Sequence, residues 1–128
     1  MKKSPELVKK TRQIYESLYA IDEEAIADMF SKKADIFAIG ADTKEFWKGR
    51  DTIIPNFINE MKNIKGARVV ETNIRAFEHG DTGWIVDQPL IKWNDSYITF
   101  RITIVFIKER GDWRIVLWQD AQIFNQPA

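Results

Sequence analysis

The sequence predicts an α+β domain in which three N-terminal helices pack on a curved, mostly antiparallel sheet, with residues 1–128 forming one unit. Three observations carry that prediction. Apolar residues follow helical spacing through most of the chain before Gly66 and alternate with period two after it. Turn clusters "HGDTG", "NDS" and "RGD" cut the second half into segments that can pair as a four-strand meander. A chain of 128 residues can bury one core but not two.

Ser4-Pro5-Glu6 reads as a helix start: a capping hydroxyl, proline in the first turn and an acid near the positive end of the dipole. Leu7, Val8, Thr11, Ile14, Tyr15, Leu18 and Tyr19 then share one stripe. Asp22 can cap a shorter helix, "EEAIADMF", which buries Ile26, Met29 and Phe30. "ADIFAIG" predicts a buried strand over 34–39. Asp51 is expected to cap a third helix that carries Pro55 in its first turn and Ile54, Phe57, Ile58 and Met61 on one side. "ARVVETNIRAFE" alternates loosely. "WIVDQPLIKW" reads as one strand, with Pro89 marking a bulge or an edge.

"YITFRITIVFIKE" is the strongest strand. Its face Phe100, Ile102, Ile104 and Phe106 is wholly apolar and should meet the helices, leaving a hollow under the curled sheet. In the last strand, strict alternation puts Arg114, Val116, Trp118 and Asp120 on one face. Trp113, Ile115, Leu117 and Gln119 take the other. Both faces carry large apolar groups, so a homodimer through the outer sheet face is expected.

Composition narrows the chemistry. Nineteen basic and nineteen acidic residues cancel, so nothing favours a nucleic-acid partner. Without cysteine and with one histidine, neither a disulfide nor a metal site is expected, and no cofactor is implied. The charged opening "MKKSPELVKK" is unlike a signal peptide, and no apolar run has membrane-spanning length; a cytoplasmic protein with no membrane partner is expected. Five tryptophans need a large core, a cavity or an interface.

The stretches "YAIDEEAIADMFSKKADIFAIG", "FWKGRDTI" and "ERGDWRIVLWQDA", in this order, resemble the SnoaL-like branch of the nuclear-transport-factor-2-like superfamily over essentially the whole chain. The resemblance implies a cystatin-like roll with a cavity between sheet and helices, and a homodimer formed through the sheet. It also implies that Phe46 and Trp47 lie beside the cavity mouth. The superfamily holds ketosteroid isomerases, polyketide cyclases and dehydratases as well as transport factors and kinase association domains, so fold alone does not choose a function. The carboxylate base of the isomerases would fall at about Phe37 or Ala38 and their protonated acid at about Ile104, neither of which is titratable. Their tyrosine falls near Ile14 or Tyr15. The histidine and serine positions common at the end of SnoaL-like chains read Leu117, Gln119 and Ala121 here.

Asp120 is the remaining acid of interest, because it shares a face with Trp118; it serves either as a general acid or base in the hollow or as the partner of an arginine. Alternation from Trp84 and Val86 points Gln88 inward, unless Pro89 shifts the register and turns Asp87 in instead. The expected pocket thus draws on Tyr15, Phe37, Phe46, Trp47 and Trp84, with Gln88, Ile104, Phe106 and Trp118. Its expected occupant is a small apolar or aromatic molecule. The competing expectations are proton-transfer catalysis of the polyketide cyclase or isomerase type through Asp120, and a pure protein association domain.

Overall fold

The computed structural model describes residues 1–33 and 35–123. Their fold is α+β, with one large, mostly antiparallel sheet. The helices are α1 (Pro5–Tyr19), α2 (Glu23–Asp28) and α3 (Arg50–Asn63). They are not one N-terminal block. A two-residue strand β1 (Lys2–Lys3) precedes α1, and β2 (Phe37–Ile39) and β3 (Phe46–Lys48) come between α2 and α3. The strand expected over 34–39 is therefore shorter, and Ala34 lies outside the described residues.

Both N-terminal caps form as the side chains dictate. Ser4 Oγ accepts the Leu7 amide at 3.1 Å, and Asp22 Oδ1 accepts the Ala25 amide at 3.1 Å. The third helix starts differently from the expectation. Gly49, at φ +85°, is its cap residue, so the helix begins at Arg50, and Asp51 sits in the first turn instead of capping it. Pro55 is consequently the sixth helical residue, and the bond its amide would give to the Asp51 carbonyl cannot form. The shift also changes the buried stripe to Ile53, Phe57 and Met61, with Ile54 and Ile58 only partly covered.

The second half is more divided than a four-strand meander. It comprises β4 (Arg68–Glu71), β5 (Arg75–His79), β6 (Thr82–Asp87), β7 (Leu90–Trp93), β8 (Ser96–Glu109) and β9 (Asp112–Ile123). The order across the sheet is β1-β5-β6-β8-β9-β2-β3; β7 pairs with the early part of β8, and β4 pairs with β7. Gln88-Pro89 is a true break: β6 lies along β5 and β8, whereas β7 turns to β4. Arg110 and Gly111, at φ +52° and +83°, close the β8–β9 hairpin in the two-residue geometry that demands positive φ twice.

One irregularity reorganises the last strand. Val105 pairs with Leu117 but Phe106 pairs with Ile115, so Val116 is an extra residue in β9. Alternation reverses across it. Trp113, Ile115 and Trp118 are consequently all buried on the helix side, at 2%, 0% and 4% exposure. The apolar character of both nominal faces therefore comes from the bulge and does not by itself require a second subunit.

The core lies between this face and the helices. Leu7, Ile26, Phe30, Ile53, Ile85, Ile104, Phe106 and Ile115 are all sealed from solvent. Gly83 lets α1 come close: a Cβ there would stand 2.4 Å from Leu7 Cδ1 and 3.1 Å from the Phe77 carbonyl oxygen. No helix among the described residues is long and apolar enough to cross a membrane.

Candidate functional site

Beyond the bulge, β9 presents Trp118 and Asp120 to the helix side, because residues two apart on a strand share a face. The end of α1 brings Tyr19, α3 brings Phe57 and Glu60, and β8 brings Phe100 and Ile102. Together they bound a cleft of about 610 Å³ that is partly open to solvent and has Glu45 in its lining. Rings make much of its wall, and the polar groups within reach are mainly carboxylates.

Asp120 is half-buried, and its Oδ2 accepts the Trp118 indole N–H at 2.7 Å. Burial pushes its pKa up; the indole bond opposes this, and the nearby charge of Glu45 adds to the rise. Among the described residues no ion pair reaches it. The Tyr19 hydroxyl is likewise raised, first by burial and then by the Asp120 charge. Glu60 is pushed up from 4.5 to about 7 by desolvation and then by Glu45 and Asp120.

The Glu60 shift has a measurable consequence. Between the two values the folded state holds more protons than the unfolded one, so this group makes stability fall as pH rises from about 4.5 to about 7. Glu60→Gln should remove that fall. More than a third of the residue meets water, so the gain at pH 8 is limited by screening to about 1 kcal/mol or less. Thermal melts of both proteins at pH 5 and pH 8 test it: the variant should gain only at the higher pH.

A second acid is buried nearby with a different role. Asp87, 6% exposed, accepts the Tyr15 hydroxyl at 2.7 Å through Oδ2. Its Oδ1 accepts the amides of Asn73 and Gln88 at 2.7 and 2.8 Å. Burial, then the charge and hydrogen bond of Asp87, raises the Tyr15 hydroxyl pKa. The Tyr15 proton is thus committed to Asp87, although its ring still lines the cleft.

The register of β6 settles which of Asp87 and Gln88 turns inward. Gly83, Ile85 and Asp87 face the helices, opposite Phe106, Ile104 and Ile102; Trp84 and Val86 face out. Gln88 is exposed and accepts from Arg101 Nε at 3.3 Å. The inward assignment of Trp84 and Gln88 is thereby corrected. Trp84 instead stacks on Phe77, with centroids 4.8 Å apart.

Several other expected pocket residues also lie elsewhere. Phe37 and Phe46 meet edge-on at 5.8 Å on the outer face, because Ala38 and Trp47 take the inner positions of β2 and β3. Phe46 is 63% exposed. Ile104 and Phe106 are sealed in the core and do not reach the cleft. Trp47 covers Phe57: their rings meet edge-on at 6.1 Å, and its indole N–H donates to the Lys44 carbonyl. It therefore backs the ring that forms the cleft wall. Of the expected residues, the structure brings Tyr15, Trp118 and Asp120 together. Tyr19, Phe57, Glu60, Phe100 and Ile102 complete the site. Of these, the inward faces of Phe57, Phe100 and Ile102 are readable from periodicity, whereas Glu60 resembles an ordinary solvent-facing helix residue.

An α+β roll with an aromatic-walled cleft between sheet and helices defines the class. The SnoaL-like domain family matches residues 10–122, and the chain belongs to that family. Solved structures agree in fold. A dehydratase candidate of the nuclear-transport-factor-2-like family from Streptomyces avermitilis superposes with a TM-score of 0.81 at 13% identity, over 93% of this chain and 94% of its own. A protein of unknown function with a cystatin-like fold from Nostoc punctiforme gives 0.79 at 16%, over 99% and 98%. A candidate calcium/calmodulin-dependent protein kinase II association domain from Thiobacillus denitrificans gives 0.77 at 14%, over 94% and 96%. Among curated proteins, none matches the chain.

Proposed function

We propose that the chain is a small-molecule-binding domain of the cytoplasm, in which three helices close a concave, cone-like sheet over a ligand with an apolar or aromatic body. The observation that carries this reading is the cleft of about 610 Å³, with Tyr19, Phe57, Phe100 and Trp118 on its walls. We further propose a homodimer through the outer sheet face. Val86 and Phe46, at 37% and 63% exposure, support it, because large apolar groups on a sheet surface favour cover.

A second reading is favoured by one feature of the same site. Asp120 is a desolvated carboxylate facing the cleft without an ion-pair partner among the described residues, which suits a general acid or base on a carbonyl compound. Binding without turnover remains the primary proposal, because the Tyr15 hydroxyl is held by Asp87 and supplies no second catalytic group.

The experiment is unbiased. Purified protein is denatured, and whatever co-purifies is identified by mass spectrometry; a low-mass compound with an apolar or aromatic body is expected. Tryptophan emission is titrated in parallel with small aromatic compounds. Emission unmoved by the whole panel, with nothing released, would favour an association domain and overturn the binding proposal. Conversion of the identified compound by the native protein, lost in Asp120→Asn, would establish the second reading.

A further inference from the structure

Packing explains the rings of the cleft but not its charges. The chain as a whole is balanced, with nineteen acids and nineteen bases. The cleft is not. Asp42, Glu45, Glu60 and Asp120 line it, and among the described residues no lysine, arginine or histidine does. Six ion pairs occur elsewhere among the described residues, and none includes any of these four carboxylates. Asp42 is occupied locally, accepting the Lys44 amide at 2.9 Å. The other three have no cation among the described residues to offset them.

The opposite imbalance lies on another face. The groove between α1 and β5 is edged by Lys3, Lys9, Arg12 and Arg75 and has no acid among the described residues of its lining. Charge is therefore segregated between two concave surfaces. An anion entering the cleft would meet three carboxylates in partly desolvated surroundings, where Coulomb repulsion is screened less than in open water. A cation would instead replace the repulsion among Glu45, Glu60 and Asp120 with attraction, and the neighbouring rings of Tyr19, Phe57, Phe100 and Trp118 would favour it further.

We infer that the cleft selects an organic cation, an ammonium-type head on an apolar body of aromatic size, with Asp120 and Glu60 as its counter-ions. Asp120, half-buried beside the Trp118 indole, is the deeper of the two; Glu60 stands at the more exposed rim. This inference rests on reading the cleft as a ligand site and adds the charge of the ligand to that reading.

Three probes of nearly equal shape separate the two claims: naphthylmethylamine, naphthylmethanol and naphthoate, titrated calorimetrically at about pH 8, above the raised pKa of Glu60, and at low salt. The amine is expected to bind about tenfold more tightly than the alcohol, as a few favourable charge and ring contacts allow, and the carboxylate more weakly than either. In the double variant Glu60→Gln/Asp120→Asn, the ratio of amine to alcohol affinity should shrink about threefold or more, whatever the change in the alcohol itself. Equal binding of amine and alcohol, or tightest binding of naphthoate, overturns the inference and leaves the cleft as a ligand site. A preference for the amine that survives in the double variant also overturns it, because the counter-ions would then be elsewhere. If none of the three binds, both claims fall.

Discussion

Phe57→Ala is expected to lower stability by about 3–5 kcal/mol, the range for deleting a buried aromatic ring. The residue is 6% exposed and joins three rings from three different segments of the chain. Phe30, just beyond α2, meets it at 5.3 Å and 66°. Trp47 on β3 meets it at 6.1 Å and 72°, and Trp118 on β9 at 5.3 Å and 86°. All three contacts are edge-on, the arrangement in which aromatic quadrupoles attract. The truncation therefore removes apolar burial and three ring contacts and leaves a void beneath the cleft wall. Phe57→Leu keeps much of the volume without the ring edges and should cost about 1–2 kcal/mol. Urea denaturation of the three proteins gives both values. A loss below about 1 kcal/mol for the alanine variant would mean that these rings are not packed as described.

Asp87→Ala is the second large effect. Its carboxylate accepts three donors from three places: the Tyr15 hydroxyl on α1, the Asn73 amide before β5 and the Gln88 amide where β6 breaks. Alanine leaves all three without that acceptor in a site only 6% exposed. Orphaned buried donors cost about 1–3 kcal/mol each when water cannot reach them; partial access makes about 3–5 kcal/mol a reasonable total. Asp87→Asn retains one acceptor oxygen and should lose less than half of that, since the tyrosine hydroxyl can rotate to accept from the new amide. A cycle with Tyr15→Phe isolates the pair: the phenylalanine change should cost about 1–2 kcal/mol with Asp87 in place and little in the Asp87→Ala background. Equal costs in both backgrounds would show that the hydroxyl and carboxylate do not interact.

Much of the fold can be read from the chain, and the failures have identifiable physical causes. Ser4 and Asp22 are legible because a capping side chain acts within three residues of itself. Asp51 misleads because it resembles them, while the backbone turn is made by Gly49, whose positive φ leaves no mark in an apolar pattern. The inner face of β8 is legible because four large apolar residues alternate without interruption. In β9 the extra Val116 reverses the alternation midway, and a bulge inserted among apolar residues looks like continued strand. Gly83 has a related effect in β6. An inward glycine declares no face, so alternation counted from Trp84 puts the whole strand in the wrong phase. Phe37-Ala38-Ile39 is apolar throughout and carries no alternation at all.

The site divides along the same line. Trp118 and Asp120 can be paired from the sequence because they lie beyond the bulge, two residues apart on one strand. Tyr19, Glu60 and Phe100 come from distant segments, and only the closing of α1 and α3 over the strand ends brings them to one cleft. Trp47 stands out in the sequence as an aromatic among turn formers and charges. Its position against Phe57 explains that placement without putting it in contact with a ligand.

The most direct measurement uses the five indoles as separate reporters. Nitrogen-labelled protein is titrated with naphthylmethanol while the indole and backbone N–H resonances are followed. Saturable shifts at the Trp118 indole and at the amides of Tyr19, Glu60 and Phe100, with Trp84 and Trp113 unmoved, are the expected result. Shifts confined to Trp84 and Phe77 on the outer face, or no saturable shift anywhere, would contradict a ligand site between helices and sheet.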